Sequence, residues 1–121
     1  MNVFDASALL AFVQDESGAA VVERVLIEGG VCGAANWSEV AQKAEARSAN
    51  WDGVRRIILS YGLTVASVTV EDAEGAAALW HGNSALSLAD RLCLSLGRRL
   101  GATVWTANRE WASEPNVRVI R

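Results

Sequence analysis

Three acidic residues stand where short apolar runs give way to helical patterns, and their type and placement suit one kind of chemistry. Asp5 directly follows the apolar pair Val3-Phe4. Glu39 lies in Asn36-Trp37-Ser38-Glu39, after Val31-Cys32-Gly33, and Asp90 lies in Ser87-Leu88-Ala89-Asp90, at the head of a leucine-rich stretch. Thr106 and Asn108 follow a further apolar run, Ala102 to Trp105. Carboxylate and carbonyl oxygens brought together suit a hard cation such as Mg2+ or Mn2+, which takes oxygen ligands and keeps waters. A cation held this way can grip a phosphodiester oxygen, lower the pKa of a bound water and steady the leaving oxygen. Crowding supplies the affinity: two like charges ~4 Å apart repel by roughly 4 kcal/mol at an effective dielectric of 20, and a cation relieves that repulsion.

Each of these residues also has a plainer reading. Asp5 is placed to cap a helix starting at Ala6. Asn36…Glu39 and Ser87…Asp90 both have capping-box spacing, in which the acidic side chain reaches back to a free backbone N–H. Ser7 and Thr106 carry hydroxyls beside the carboxylates; they suit orienting a carboxylate or a bound water, and they suit local backbone bonding equally. Position alone leaves capping and a shared acidic site both open.

The elements that must position these residues follow from apolar periodicity. Val3-Phe4, Val31-Cys32-Gly33, Leu63 to Val68, Ala102 to Trp105 and Asn116 to Ile120 read as strands. Between them helices are expected over Ala6 to Val13, Ala19 to Ile27, Trp37 to Ser48, Trp51 to Tyr61, Val70 to Trp80 and Ser87 to Leu100, with a short one near Arg109 to Ala112. Gly62 and Gly101 are natural helix ends, and His81-Gly82-Asn83 reads as a turn. In the helix over Ser87 to Leu100, Leu88, Leu92, Leu96 and Leu100 recur every fourth residue, with Cys93 beside them, as its apolar face. Strands alternating with helices imply an α/β class: a three-layer α/β/α sandwich around a mainly parallel sheet of about five strands, as one domain over residues 1–121. In such sheets the ligand crevice lies beyond the carboxyl ends of the strands, which draws Asp5, Glu39, Asp90, Thr106 and Asn108 to one edge.

Composition narrows the function classes. The chain has 121 residues, 51% hydrophobic and 21% charged, an ordinary globular balance. Its N-terminus is apolar, but it lacks a cationic start and Asp5 interrupts it, so neither a signal peptide nor a membrane span is expected and the protein is expected in the cytoplasm. Cys32 and Cys93 have no CxxC spacing and read as buried structural thiols, and with His81 the single histidine a zinc site lacks ligands. Net charge is −3, which does not advertise a nucleic-acid partner.

The wording of four segments resembles the PIN-domain family, specifically the VapC toxins of bacterial toxin–antitoxin pairs. Val3-Phe4-Asp5-Ala6-Ser7-Ala8-Leu9-Leu10 is similar to its first motif, and Asn36-Trp37-Ser38-Glu39-Val40 to its second. Leu86-Ser87-Leu88-Ala89-Asp90-Arg91-Leu92-Cys93-Leu94 resembles the third, the most specific. Val104-Trp105-Thr106-Ala107-Asn108-Arg109-Glu110-Trp111-Ala112 resembles the fourth except at one position. The resemblance runs the length of the chain in order. It implies an α/β/α sandwich, a Mg2+- or Mn2+-dependent endoribonuclease, an RNA substrate, a homodimer and a VapB-like antitoxin that blocks the acidic pocket. Asp5, Glu39 and Asp90 are then the metal ligands, Asn108 an auxiliary catalytic ligand, and Ser7 and Thr106 supporting residues.

Asn108 is the departure, because the family has Asp there; Asn removes a charge and keeps a carbonyl oxygen. Retained activity is one outcome, and a catalytically weakened module that binds RNA or an antitoxin is the other. Glu110 could restore part of the lost charge. Arg91 and Arg109, adjacent to site residues, are the expected RNA contacts, ahead of Lys43, Arg47, Arg55 and Arg56, which solvated helix faces explain. Core or interface packing is the default for the five tryptophans, and Trp37, inside the second motif, is the one with base stacking as an alternative. A phosphatase or response-regulator-like phosphoacceptor, also with Asp after its first strand, would need a lysine late in the chain, and Lys43 is the only lysine.

Overall fold

The structure, a computed structural model, describes residues 1–82 and 84–121, so the expected turn at His81-Gly82-Asn83 ends on a residue, Asn83, outside those described. Five short strands form one sheet: β1 (Asn2–Phe4), β2 (Val31–Gly33), β3 (Thr64–Ala66), β4 (Thr103–Thr106) and β5 (Val117–Val119). Their order is β3-β2-β1-β4-β5, every pairing is parallel, and Val3 at the centre pairs with Val31 on one side and Val104 on the other. Parallel neighbours need crossovers, and the helices supply them. These are α1 (Ala6–Val13), α2 (Ala19–Glu28), α3 (Ala34–Ala46), α4 (Trp51–Ser60), α5 (Val70–Ala78) and α6 (Leu88–Leu100), with a 3-10 turn at Arg109–Trp111.

The two-residue period of a strand divides the core between the faces of the sheet. Phe4 and Cys32 pack with Leu9, Val22, Leu26, Val40 and Ile58 from α1 to α4. Val3, Val104 and Val117 pack on the other face with Cys93, Leu94 and Leu96 of α6 and with Trp111. Phe4 and Leu9 are wholly buried, each stabilising the fold by roughly 1.5–3 kcal/mol. The expected sandwich is therefore present, and its sheet is parallel throughout.

Three local expectations need correction. Helix α3 starts at Ala34, three residues before Trp37, because it leaves β2 directly with Gly33 at its N-cap position and no side-chain cap. The strand expected over Leu63 to Val68 keeps only Thr64–Ala66, since it is the sheet's outer strand and pairs with β2 alone. The leucine repeat of α6 is only part of its buried face: Leu96 and neighbouring Cys93 are buried and Leu92 and Leu100 half-buried, but Leu88 is 59% exposed, and Leu94, Ser95 and Gly97 are buried as well. The helix is covered by the sheet on one side and by α5 on the other, so burial spreads around it. That second contact needs small residues, because a side chain on Gly75 would collide with the Ser95 hydroxyl. Gly101 ends α6 in the left-handed region (φ 61°), as a glycine does without strain.

Candidate functional site

In the strand order, β1 and β4 are the neighbours from which the chain winds away in opposite directions, and the crevice of such sheets opens at their carboxyl ends. Asp5 leaves β1 there and Thr106 ends β4, with the Asp5 backbone N–H donating to the Trp105 carbonyl at 2.9 Å. Asp5 is only 4% exposed. Its Oδ2 accepts from Ser7 Oγ at 2.6 Å and from Thr106 Oγ1 at 2.9 Å. The two hydroxyl oxygens in turn accept the backbone N–H groups of Ala107 and Asn108, at 2.9 and 3.0 Å. Both hydroxyls orient the carboxylate; local backbone bonding holds for Thr106 alone, since the backbone partner of Ser7 lies across the sheet edge at Ala107. The capping reading of Asp5 does not hold, because its side chain caps nothing in α1.

Glu39 reaches the same place from α3. The early start of that helix removes the expected capping box and puts Asn36 and Glu39 on one helical face, three residues apart. Asn36 is 1% exposed, and its Nδ2 lies 3.2 Å from Glu39 Oε1, 3.3 Å from the Ala89 carbonyl oxygen and 3.5 Å from Asp5 Oδ1. Asp90 stands in the first turn of α6 and does form its capping box, accepting from Ser87 N at 2.9 Å while Asp90 N donates to Ser87 Oγ at 3.1 Å.

The three charges act on one another. Burial pushes the Asp5 carboxyl up, the Ser7 and Thr106 hydrogen bonds pull it back, and the charge of Asp90 pushes it up again. Glu39 is also raised, by burial and then by Asp5, with the Asn36 bond opposing, Asp90 adding and Lys43 one turn away relieving. The Cys32 and Cys93 thiols lie buried beneath. Burial raises both, Asp5 and Glu39 act on each, and Asp90 adds to Cys93, so neither is a ready thiolate ligand.

Among the described residues, no three Asp, Glu, His or Cys side chains stand close enough, as placed, to hold one ion. Asp90 is turned back to its own cap, and the Asn36 amide bridges Asp5 and Glu39. The donors nevertheless suit a hard divalent cation. All are oxygens, two are carboxyls raised by burial and by neighbouring negative charge, and Asp5 Oδ1 carries no hydroxyl.

The remaining expected residues are dispersed. Asn108 Oδ1 accepts from Glu110 N at 3.0 Å, capping the 3-10 turn. Glu110 lines a cavity of about 240 Å³ with His81, Ser84 and Trp111, and it is not among the charges acting on Asp5 or Glu39. Arg91 donates from Nη1 to the Ala76 carbonyl at 2.8 Å, fastening α6 to α5. Arg109 is exposed. Trp37 packs edge-on against Trp51, ring centres 5.2 Å apart. Asn36 is the residue that sequence reasoning undervalued; starting α3 directly after Gly33 would have shown it sharing a face with Glu39.

Residues 3–114 match the family model of the PIN domain. The chain belongs to the PIN-domain family. Solved structures of similar fold include a toxin–antitoxin complex from Klebsiella pneumoniae, 19% identical with a TM-score of 0.80, covering 100% of this chain and 98% of that one. The sarcin–ricin loop cleaving toxin VapC20 of Mycobacterium tuberculosis is 16% identical with a TM-score of 0.78, covering 98% of both chains. VapBC2 of Rickettsia felis, bound to a DNA fragment from its promoter, is 14% identical with a TM-score of 0.68, covering 98% and 96%. A comparison with curated proteins finds no match. The family match spans the whole acidic edge of this PIN domain, from β1 through the 3-10 turn, and stops before β5. Among the described residues no helix is long and apolar enough to cross a membrane.

Proposed function

We propose that this PIN domain is a metal-dependent endoribonuclease, the toxin of a type II toxin–antitoxin pair, acting in the cytoplasm. The observation that carries the reading is Asp5: a buried carboxylate at the sheet's switch point, oriented by two hydroxyls, pushed up by burial and by Asp90, and in no salt bridge among the described residues. Asp5, Glu39 and Asp90 would hold Mg2+ or Mn2+, with Asn108 as auxiliary ligand. The bound ion would supply Lewis acidity toward an RNA phosphodiester and a water acidic enough to attack it.

The chain's own residues do the rest. Ser7 and Thr106 spend Asp5 Oδ2 as an acceptor, which leaves Oδ1 for binding. Asp90 joins by releasing its bond to Ser87 N, a loss of about 1 kcal/mol, against a carboxylate repulsion of several kcal/mol that a cation relieves. Of the two expected RNA contacts, exposed Arg109 is the better phosphate ligand, since Arg91 is engaged with α5. The capping bond of Asn108 is one that Asp would make equally, so the departure changes charge and spares geometry. That favours retained activity over a non-catalytic module.

A VapB-like antitoxin and a second copy of the chain are the proposed protein partners. Two of the similar structures are toxin–antitoxin assemblies, and Val70, Trp80 and Leu88 leave apolar surface on α5, just after it and at the start of α6. The test is cleavage of RNA by the purified protein with Mn2+. Activity that chelation removes and that Asp5→Asn and Asp90→Asn abolish supports the reading. Cleavage unchanged in both variants refutes it, and cleavage that appears only in Asn108→Asp supports the weakened module instead.

A further inference from the structure

We infer that Asn36 is the positioning residue of the acidic site, holding Glu39 and the first turn of α6 against Asp5 by standing in for positive charge where the oxygens converge. The inference rests on the metal-dependent reading above. Three independent elements meet at its amide nitrogen: Asp5 at the exit of β1, Glu39 on α3 and the Ala89 carbonyl on α6, at 3.5, 3.2 and 3.3 Å. The orientation of the amide follows from that environment. With Nδ2 among three oxygens, a flipped amide would set Oδ1 against two carboxylates and a carbonyl. Oδ1 instead lies toward Gly33, where an added Cβ would stand only 3.3 Å from it.

The amide has two hydrogens for three acceptors, so it never satisfies all of them at once. The longest contact, to Asp5 Oδ1, is the one left weakest, and that is the oxygen free of hydroxyls. Asn36 therefore fixes the Glu39 side chain and ties α3 to α6 while leaving an acceptor for a cation. A neutral donor is required for this: an apolar residue would leave the oxygens unbridged, and an ionised Asp would add a further negative charge. A residue that orients metal ligands in this way typically contributes about 10- to 100-fold in metal affinity.

The test is Mn2+ titration of wild type, Asn36→Ala, Asn36→Ser, Asn36→Asp and Asp5→Asn, followed by calorimetry and by thermal unfolding. Asn36→Ala should bind Mn2+ about 10- to 100-fold more weakly, with RNA cleavage recovered to within a few-fold at saturating Mn2+ and an unchanged KM for RNA. Asn36→Ser, which keeps one donor, should fall between wild type and Asn36→Ala. Asn36→Asp, of nearly the same shape, should unfold at lower temperature without metal and recover with Mn2+. A purely structural role would lower stability and leave the Mn2+ midpoint where it is in the wild type, and that result in Ala and Ser overturns the inference. So does Asn36→Asp unfolding at the wild-type temperature in the absence of metal. The underlying metal reading fails separately, if wild type and Asp5→Asn respond to Mn2+ alike.

Discussion

Asp5 and Asp72 are two aspartates sealed from solvent to the same degree, 4% and 3% exposed, and their carboxyls are driven in opposite directions. Asp72, in the capping box that starts α5, receives the Arg99 guanidinium at 2.6 and 3.1 Å and is held below the ordinary range chiefly by that pair. Its partner is the cover: Arg99 remains 29% exposed while closing over the carboxylate. Asp5 is enclosed by the sheet edge instead, its hydrogen-bond donors are neutral, its charged neighbours include Asp90 and Glu39, and burial above all raises its carboxyl. The chain supplies its own cation where a carboxylate fastens α5 to α6. Where it supplies only neutral donors, the charge is left to be balanced from outside, and that marks the site.

Replacing each residue in turn sharpens the contrast. The largest expected effect is on cleavage: Asp5→Asn should lower the RNA cleavage rate at least ~10³-fold, about 4 kcal/mol of barrier, without lowering the unfolding temperature of the metal-free protein. Asp72→Asn should do the opposite, losing stability and retaining cleavage wherever the protein is folded. Next, Arg99→Met removes both the partner and the cover of Asp72 and should lower the denaturant unfolding midpoint. An unchanged midpoint in that variant would break the comparison.

Acidity and metal separate the two sites at smaller amplitude. A carboxyl whose folded pKa lies above its ordinary 3.8 contributes stability that is full below that value and is lost as pH rises through the folded one. Asp5 therefore makes the metal-free protein less stable as pH climbs above 3.8 and through the raised folded value. Asp72, lowered from the same 3.8, contributes stability above that value and loses it only as pH falls through its folded value. Mn2+ should restore what Asp5 loses, by about 2.7 kcal/mol at a hundred times its Kd, and do so more at pH 8 than at pH 5. Equal stabilisation at both pH values would place the ion elsewhere. Smallest of all, Asn108→Asp should change the cleavage rate by less than about tenfold, under ~1.4 kcal/mol.

The fold was legible because its signals are local and agree with one another. Apolar runs followed by Asp5 or preceded by Gly101 mark strand boundaries, and Ser87 with Asp90 spells a capping box that the structure contains. What misled were residues whose local chemistry allows two roles. Asn36 has the composition of an N-cap, so α3 was expected to begin after it; a start at Ala34 with no polar cap carries no such mark. The Leu88–Leu100 repeat has helical spacing, but spacing does not reveal that α5 and the sheet enclose α6 from two sides. Arg91 beside Asp90 reads as a phosphate ligand until the Ala76 carbonyl, fifteen residues earlier, is brought against it. Contacts between distant segments decide these three, and no window of sequence holds both partners.

The most direct measurement is an anomalous difference map from crystals of the wild-type protein soaked in Mn2+. A peak bonded to Asp5 Oδ1 and to a carboxylate oxygen of Glu39 or Asp90, absent from Asp5→Asn crystals, is the expected result. Manganese bound without Asp5, or none bound at that edge of the sheet in crystals of an active protein, would contradict the assignment of the site.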